Sequence, residues 1–148
     1  MQRYEWLSNL IKEHKWTTGV EVGFGSGATS KFLLKNNQLE QLTTVDIIYR
    51  NGMDKLLAEY DNFNVMQMSS VDAASVFGEQ VDFVFIDADH SYEHIKADIT
   101  AWLPHTKSFL CGHDYGHKKW PGVTQAVNEL DVPLIIGKDL CWGYFING

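Results

Sequence analysis

The stretch from Gly19 to Asp46, GVEVGFGSGATSKFLLKNNQLEQLTTVD, limits what this chain can fold into more than any other. Val20 and Val22 alternate with Gly19 and Glu21, the period-two pattern of a short strand. Gly23, Gly25 and Gly27 follow as a G-x-G-x-G turn. Glycine accepts positive φ there, and without a Cβ it lets a ligand reach the backbone. Ala28 to Leu34 is expected as a helix whose free N–H groups point back at the turn. Thr43 to Ile47 reads as a second β-branched strand, with Asp46 near its end. An acid about 20 residues past such a turn can take both hydroxyls of a ribose. The stretch therefore predicts strand, turn, helix and strand arranged around a nucleoside cofactor.

The rest of the chain has to supply a core for that unit. Its 148 residues, 45% of them hydrophobic, suffice for one domain. Residues 1–18 are expected as an N-terminal helix and residues 19–148 as the α/β core. The net charge of −7 argues against a nucleic-acid partner, which wants a basic face. Only two arginines are present, Arg3 and Arg50, so a phosphate clamp is poorly supplied. There is no run of 18 apolar residues and no signal peptide, so a cytoplasmic protein without a membrane partner is expected. Cys111 and Cys141 lie in apolar, strand-like stretches and read as buried thiols of a reducing compartment.

Periodicity places the other elements. Tyr4 to His14 carries Leu7, Leu10 and Ile11 at helical spacing, and this helix should pack beside the sheet or cover the ligand. Asn36 and Asn37 are expected to end the helix after the glycine turn in a left-handed cap. Met53 to Tyr60 is helical and Phe63 to Met68 a third strand. Ser69 or Ser70 should cap a short helix that Gly78 stops. Val81 to Asp87, VDFVFID, is apolar enough for the centre of a covered sheet. Ser91 caps a helix that Pro104 ends, and Ser108 to Asp114 is a fifth strand. Pro121 opens the last helix. Val132 to Ile136 and Cys141 to Ile146 are separated by only four residues, too few for a crossover, so they must be antiparallel neighbours. Alternating strands and helices give a mostly parallel sheet with helices on both faces. The predicted fold is a Rossmann-like three-layer α/β/α sandwich, seven-stranded and closed by an antiparallel β-hairpin. A ligand should sit outside the carboxyl ends of the strands, beside the first.

Gly23, Gly25 and Ala28 also satisfy the dinucleotide pattern G-x-G-x-x-A, which leaves an NAD(P)-dependent oxidoreductase as an alternative. Glu21 speaks against it, because a carboxylate in the first strand suits a cationic ligand such as a sulfonium. The terminal hairpin and the short chain speak against it too. E-V-G-F-G-S-G (Glu21 to Gly27), Asp46 and the reversed hairpin resemble the class I S-adenosylmethionine-dependent methyltransferases. DFVFIDADHSYEHIKADITAW (Asp82 to Trp102) with CGHDYGHKKWPGVTQAV (Cys111 to Val127) resembles the branch of macrocin and rhamnosyl O-methyltransferases. The resemblance implies that Glu21, Gly23, Gly25 and Gly27 line the amino-acid end of S-adenosylmethionine. It implies that Asp46 takes the ribose, that Ser69 and Ser70 meet the adenine, and that Asp87 faces the transferred methyl group. A small-molecule hydroxyl, such as one on a sugar or polyketide-like acceptor, is the expected target. A non-catalytic nucleoside-binding module is the other alternative. With only 18 residues before Gly19, three expectations stay open: a very small acceptor, a second copy of the chain that completes the acceptor pocket, or a lost activity.

Asp87, Asp89, His90, His113, Asp114 and His117 fall at the ends of the fourth and fifth strands, which should be neighbours. Three readings stay open. By analogy with catechol-type O-methyltransferases, Mg²⁺ or another divalent cation sits on Asp87 and Asp114, with Asp89 or His113 next in line. Alternatively, His90, His113 or His117 acts as general base on the acceptor hydroxyl, held by Asp87 or Asp114. Or Asp89 and His90 tie the loop to the helix beginning at Ser91.

Overall fold

A computed structural model describes residues 1–146. Its seven strands are β1 (Thr18–Val22), β2 (Gln41–Asp46), β3 (Phe63–Gln67), β4 (Val81–Ile86), β5 (Thr106–Gly112), β6 (Ile135–Ile136) and β7 (Trp142–Phe145). They form one sheet in the order β3-β2-β1-β4-β5-β7-β6. β1 to β5 run parallel, and β7 pairs antiparallel with both β5 and β6. The expected sandwich with its reversed hairpin is therefore present. The switch point lies between β2 and β4, at the carboxyl end of β1. Val22 pairs with both Val45 and Ile86, so three strand ends reach the same level there.

Six helices cover the sheet: α1 (Arg3–His14), α2 (Ala28–Asn36), α3 (Asn51–Glu59), α4 (Ser70–Val76), α5 (Tyr92–Trp102) and α6 (Pro121–Asn128). The two-residue period of each strand divides the core between two faces. Val20, Val22, Val84, Ile86 and Leu110 pack with Ile95, Ile99 and Trp102 of α5 and with Val123 and Val127 of α6. Phe83, Phe85 and Phe109 point the other way, onto Leu7 and Ile11 of α1, Leu33 of α2 and Met53 of α3. The sheet interior is thus apolar on both sides, as a parallel sheet requires.

The element ends differ from expectation where local chemistry intervenes. β6 shrinks to Ile135–Ile136, because Pro133 has no N–H to give to a ladder. β2 ends at Asp46 and leaves Ile47 exposed. Asn37 is extended rather than left-handed, and its N–H donates to Leu33 O. Pro104 ends α5 within a following 3₁₀ turn, Leu103–His105. Ser69 is the cap of α4, accepting from Asp72 N at 3.2 Å. Cys111 and Cys141 are free and buried, and burial pushes the Cys141 thiol up to about 12, so both remain protonated. Among the described residues, no helix is long and apolar enough to cross a membrane.

Candidate active site

A cavity of about 610 Å³ opens at the switch point, large enough for a nucleoside-sized ligand. Its walls include Gly23, Gly25, Asp46, Arg50, Ser69, Ser70, Asp87 and His90. The glycine turn forms its floor. Gly23 has φ +100, and a Cβ there would lie 2.3 Å from Asp87 O, so only glycine lets β1 and the loop after β4 meet. Gly25 has φ +57, and a Cβ there would meet nothing within 4 Å. Its missing side chain is therefore space left on the cavity side, which a ligand can use against the backbone. These residues fit a nucleoside cofactor.

Asp46 anchors this half. Its Oδ2 accepts from Phe24 N at 3.0 Å, its Oδ1 accepts from Ile48 N at 3.0 Å, and Arg50 Nε lies 3.4 Å from Oδ2. Each carboxylate oxygen accepts more than one bond, so the group can hold the turn and still receive ribose hydroxyls.

Two of the expected cofactor contacts lie elsewhere. Glu21 is 2% exposed and does not border the cavity. Its Oε1 accepts from Ser30 Oγ and, at 2.9 Å, from Thr44 Oγ1. Burial pushes its pKa up to about 8, against the effect of those hydroxyls, so it is mostly neutral at pH 7. It ties α2 and β2 to β1 instead of meeting a cation. Gly27 is the N-cap of α2 at φ +85, where a Cβ would strike the Phe24 ring at 2.6 Å. Its role is to close the turn rather than to line the cleft.

At the other end of the cleft, β4 and β5 bring Asp87, His90, His113 and Asp114 together as expected. His90 Nε2 lies 2.8 Å from Asp114 Oδ2, and the His90 ring stacks on Trp120 with centroids 4.4 Å apart. Trp120 is exposed, and its work is against His90 rather than in the core. His113 Nδ1 is 3.2 Å from Asp114 Oδ1 and 3.7 Å from Asp87 Oδ1. Burial favours a neutral His113, but the two carboxylates outweigh it and push its pKa up to about 10. The carboxylates of Asp87 and Asp114 thus favour the protonated ring, which weighs against His113 among the candidate bases. Asp114 is held below its usual value by His113, against the opposing effect of burial.

Asp89 and His117 stand outside this cluster. Asp89 Oδ1 accepts from Ser91 N at 2.8 Å, and its other oxygen lies 3.6 Å from His94 Nδ1. It accepts from Ser91, the N-cap of α5, so the expected metal set Asp87, Asp89 and Asp114 is not brought together. The ligand atoms that do lie within 4.8 Å of one another belong to Asp87, His90 and Asp114. His117 Nδ1 accepts from Lys119 N at 3.1 Å within its own loop.

Sequence reasoning missed Arg3, Asp139 and Asp98. Arg3 Nε lies 3.4 Å from Asp87 Oδ2, and Arg3 N donates to Asp139 Oδ2 at 3.1 Å. The start of α1 therefore covers the end of β4. One signal was available: both of the chain's arginines, Arg3 and Arg50, stand on cleft carboxylates.

A family model described as a methyltransferase domain matches residues 20–115. No curated protein matches the sequence. Among solved structures, the N-methyltransferase NodS from Bradyrhizobium japonicum superposes with a TM-score of 0.69 at 16% identity, over 95% of this chain and 91% of that one. An O-methyltransferase from Bacillus cereus, solved with S-adenosylhomocysteine (SAH), gives 0.73 at 13% identity, over 95% and 79%. MycE, of the mycinamycin biosynthetic pathway, solved with Mg and SAH, gives 0.70 at 16% identity, over 95% of this chain and 48% of its own. These identities establish a shared fold. The family match covers the glycine turn, Asp46 and both strand ends of the acid–histidine cluster, and the chain belongs to the methyltransferase-domain family, on a Rossmann-like fold it shares with those solved methyltransferases.

Proposed function

We propose that the cleft binds S-adenosylmethionine and that the enzyme methylates a hydroxyl of a small-molecule acceptor. The carrying observation is that the glycine turn and Asp46 line one cavity together with Asp87 and His90 of the acid–histidine cluster. S-adenosylmethionine supplies an electrophilic sulfonium methyl when bound. Gly23 and Gly25 allow it close approach to the backbone, Asp46 accepts the ribose hydroxyls, and Ser69 and Ser70 border the base.

The acceptor hydroxyl needs alignment and loss of its proton. His90 is the group placed for that step. Its Nε2 faces Asp114, so Nε2–H donates to the carboxylate and the Nδ1 lone pair is left to accept a proton. Trp120 fixes the ring plane, and Asp114 stabilises the imidazolium that forms. Arg3 and His113 balance the charge of Asp87 and Asp114.

A metal-assisted variant is favoured by one observation, the 4.8 Å grouping of Asp87, His90 and Asp114. A nitrogen donor among two carboxylates suits Mn²⁺ or Zn²⁺ better than Mg²⁺. Arg3 and His113 already supply positive charge there, which supports the metal-free reading. The acceptor is taken to be a free cytoplasmic small molecule, with neither nucleic acid nor membrane as partner, and a second copy of the chain is proposed to complete its pocket.

The test is transfer of a labelled methyl group to a panel of hydroxylated acceptors, with and without chelator, alongside sedimentation of the protein. Chelator-resistant transfer to an oxygen supports the reading. Saturable cofactor binding with no transfer to any acceptor favours the non-catalytic module.

A further inference from the structure

The turn between β6 and β7, Gly137 to Leu140, is strained, and it is held from both sides. Asp139 and Leu140 stand at φ +59 and +58, two successive left-handed residues of which neither is a glycine. Such a pair persists only where its surroundings hold it. A Cβ on Gly137 would lie 2.3 Å from the Trp6 indole, so the turn is seated against α1. Leu140 O accepts from Tyr115 N at 3.0 Å, which ties the turn to the residue after Asp114. Between these anchors Asp139 reaches two distant elements. Its Oδ2 accepts from Arg3 N at 3.1 Å and lies 3.9 Å from Arg3 Nη1, and its Oδ1 lies 3.6 Å from His113 Nε2. The two ion pairs are long and partly exposed, so the backbone bond is the stronger tie. Arg3 opens α1, and the first N–H groups of a helix have no partner within it. Asp139 supplies that partner from 136 residues away.

Arg3 is also the residue that meets Asp87, its Nε 3.4 Å from Oδ2. Asp87 shares His113 with Asp114, and Asp114 in turn faces His90. With Arg3 released, Asp87 would draw harder on His113, and the carboxylate beside His90 would lose part of its own partner. We propose that Asp139 is a positioning residue: by capping α1 across the fold it keeps the Arg3 guanidinium on Asp87 and so holds the acid–histidine end of the cleft ready for transfer. This inference rests on the reading of that end as the place where the acceptor hydroxyl loses its proton.

The test is methyl transfer from labelled S-adenosylmethionine to a sugar or phenol that the wild type methylates, compared across Asp139→Gly, Asp139→Asn, Arg3→Ala and the double variant Arg3→Ala/Asp139→Gly. Circular dichroism checks folding, and calorimetry gives cofactor affinity. Glycine accepts φ +59 at least as readily as aspartate, so Asp139→Gly spares the turn and removes the cap. It should lower kcat about fivefold, the scale of one hydrogen bond, with cofactor affinity within about twofold. Asp139→Asn keeps an oxygen for Arg3 N and should stay within about twofold of the wild type. Arg3→Ala should lose as much as Asp139→Gly, and the double variant no more than either, because one residue acts through the other. An unchanged kcat in Asp139→Gly would mean that Asp139 serves its turn alone. Equal losses of kcat and cofactor affinity would mean that α1 shapes the whole cleft. Either result overturns the inference, as does a further loss in the double variant. Should Asp139→Gly not fold, an unchanged kcat in Arg3→Ala, or an about fivefold loss in Asp139→Asn, overturns it. A wild type that binds the cofactor and methylates no acceptor overturns the proposed function, and the role of Asp139 with it.

Discussion

On the β1–β2 side of the cleft, a carboxylate is held mainly by backbone: Asp46 takes the N–H groups of Phe24 and Ile48, with Arg50 as its one side-chain cation. On the β4–β5 side, carboxylates are held by other side chains: Asp87 by Arg3 and His113, Asp114 by His90 and His113. The backbone donors lie in the turns that follow β1 and β2 and keep their charge state. Side-chain cations can swing away, lose a proton or yield to a metal. On the proposed reading, the glycine-turn half serves shape and the acid–histidine half proton movement and charge exchange. Removing a group should accordingly damage binding on one side and turnover on the other.

The largest expected effect tests the proton-moving side. His90→Gln should lower kcat by about 10²- to 10⁴-fold, the usual contribution of a general base. Cofactor affinity, measured by titration, should stay within about twofold. Equal losses in both would mean that His90 shapes the cofactor pocket.

Next come the backbone-held residues. Gly25→Val puts a β-branched side chain at φ +57 and into the ligand's space, and Asp46→Ala removes the ribose acceptor and loosens the turn. Each should weaken S-adenosylhomocysteine binding by about 10- to 100-fold. If Asp46→Ala binds as tightly as the wild type, the ribose lies elsewhere.

Glu21 gives an intermediate effect that bears on stability alone. Its pKa is raised from 4.5 to about 8 in the folded chain. The folded state therefore keeps a proton that the unfolded state releases, and stability contributed below pH 4.5 is lost as pH rises towards 8. The slope at mid-window approaches about 1.4 kcal/mol per pH unit. Denaturant titrations of wild type and Glu21→Gln across this window should show the slope in the first and a flatter profile in the second.

The smallest effect is expected from Arg3. Its side chain is partly exposed, so Arg3→Ala should change stability by no more than about 1 kcal/mol. It should, however, uncover Asp87 and raise the affinity for Mn²⁺ several-fold, readable by calorimetry. No change in metal affinity would mean that Arg3 does not screen the cluster.

The sequence carried the parts of this comparison that depend on pattern. Hydrophobic period and the four-residue gap before Cys141 were enough for the sheet with its reversed end, and the spacing from the glycine turn to Asp46 was enough to put Gly23, Gly25 and Asp46 on one cavity. The pairing of Arg3 with Asp87 was not legible, because periodicity reports which face a residue occupies and not which distant side chain it meets. Glu21 was misplaced for the same reason, its partners Ser30 and Thr44 being ordinary residues of a helix and a strand. Asp98 read as one polar position on an amphipathic helix. The tie from Asp89 to the helix at Ser91 was one of the open readings, since an acid two residues before a backbone N–H is a local turn signal.

The most direct measurement is calorimetric titration of the protein with S-adenosylmethionine and, separately, with NAD, each with and without Mn²⁺. Saturable one-site binding of S-adenosylmethionine, no binding of NAD and little change with metal is the predicted result. Binding of NAD in place of S-adenosylmethionine would contradict the assignment of the cleft.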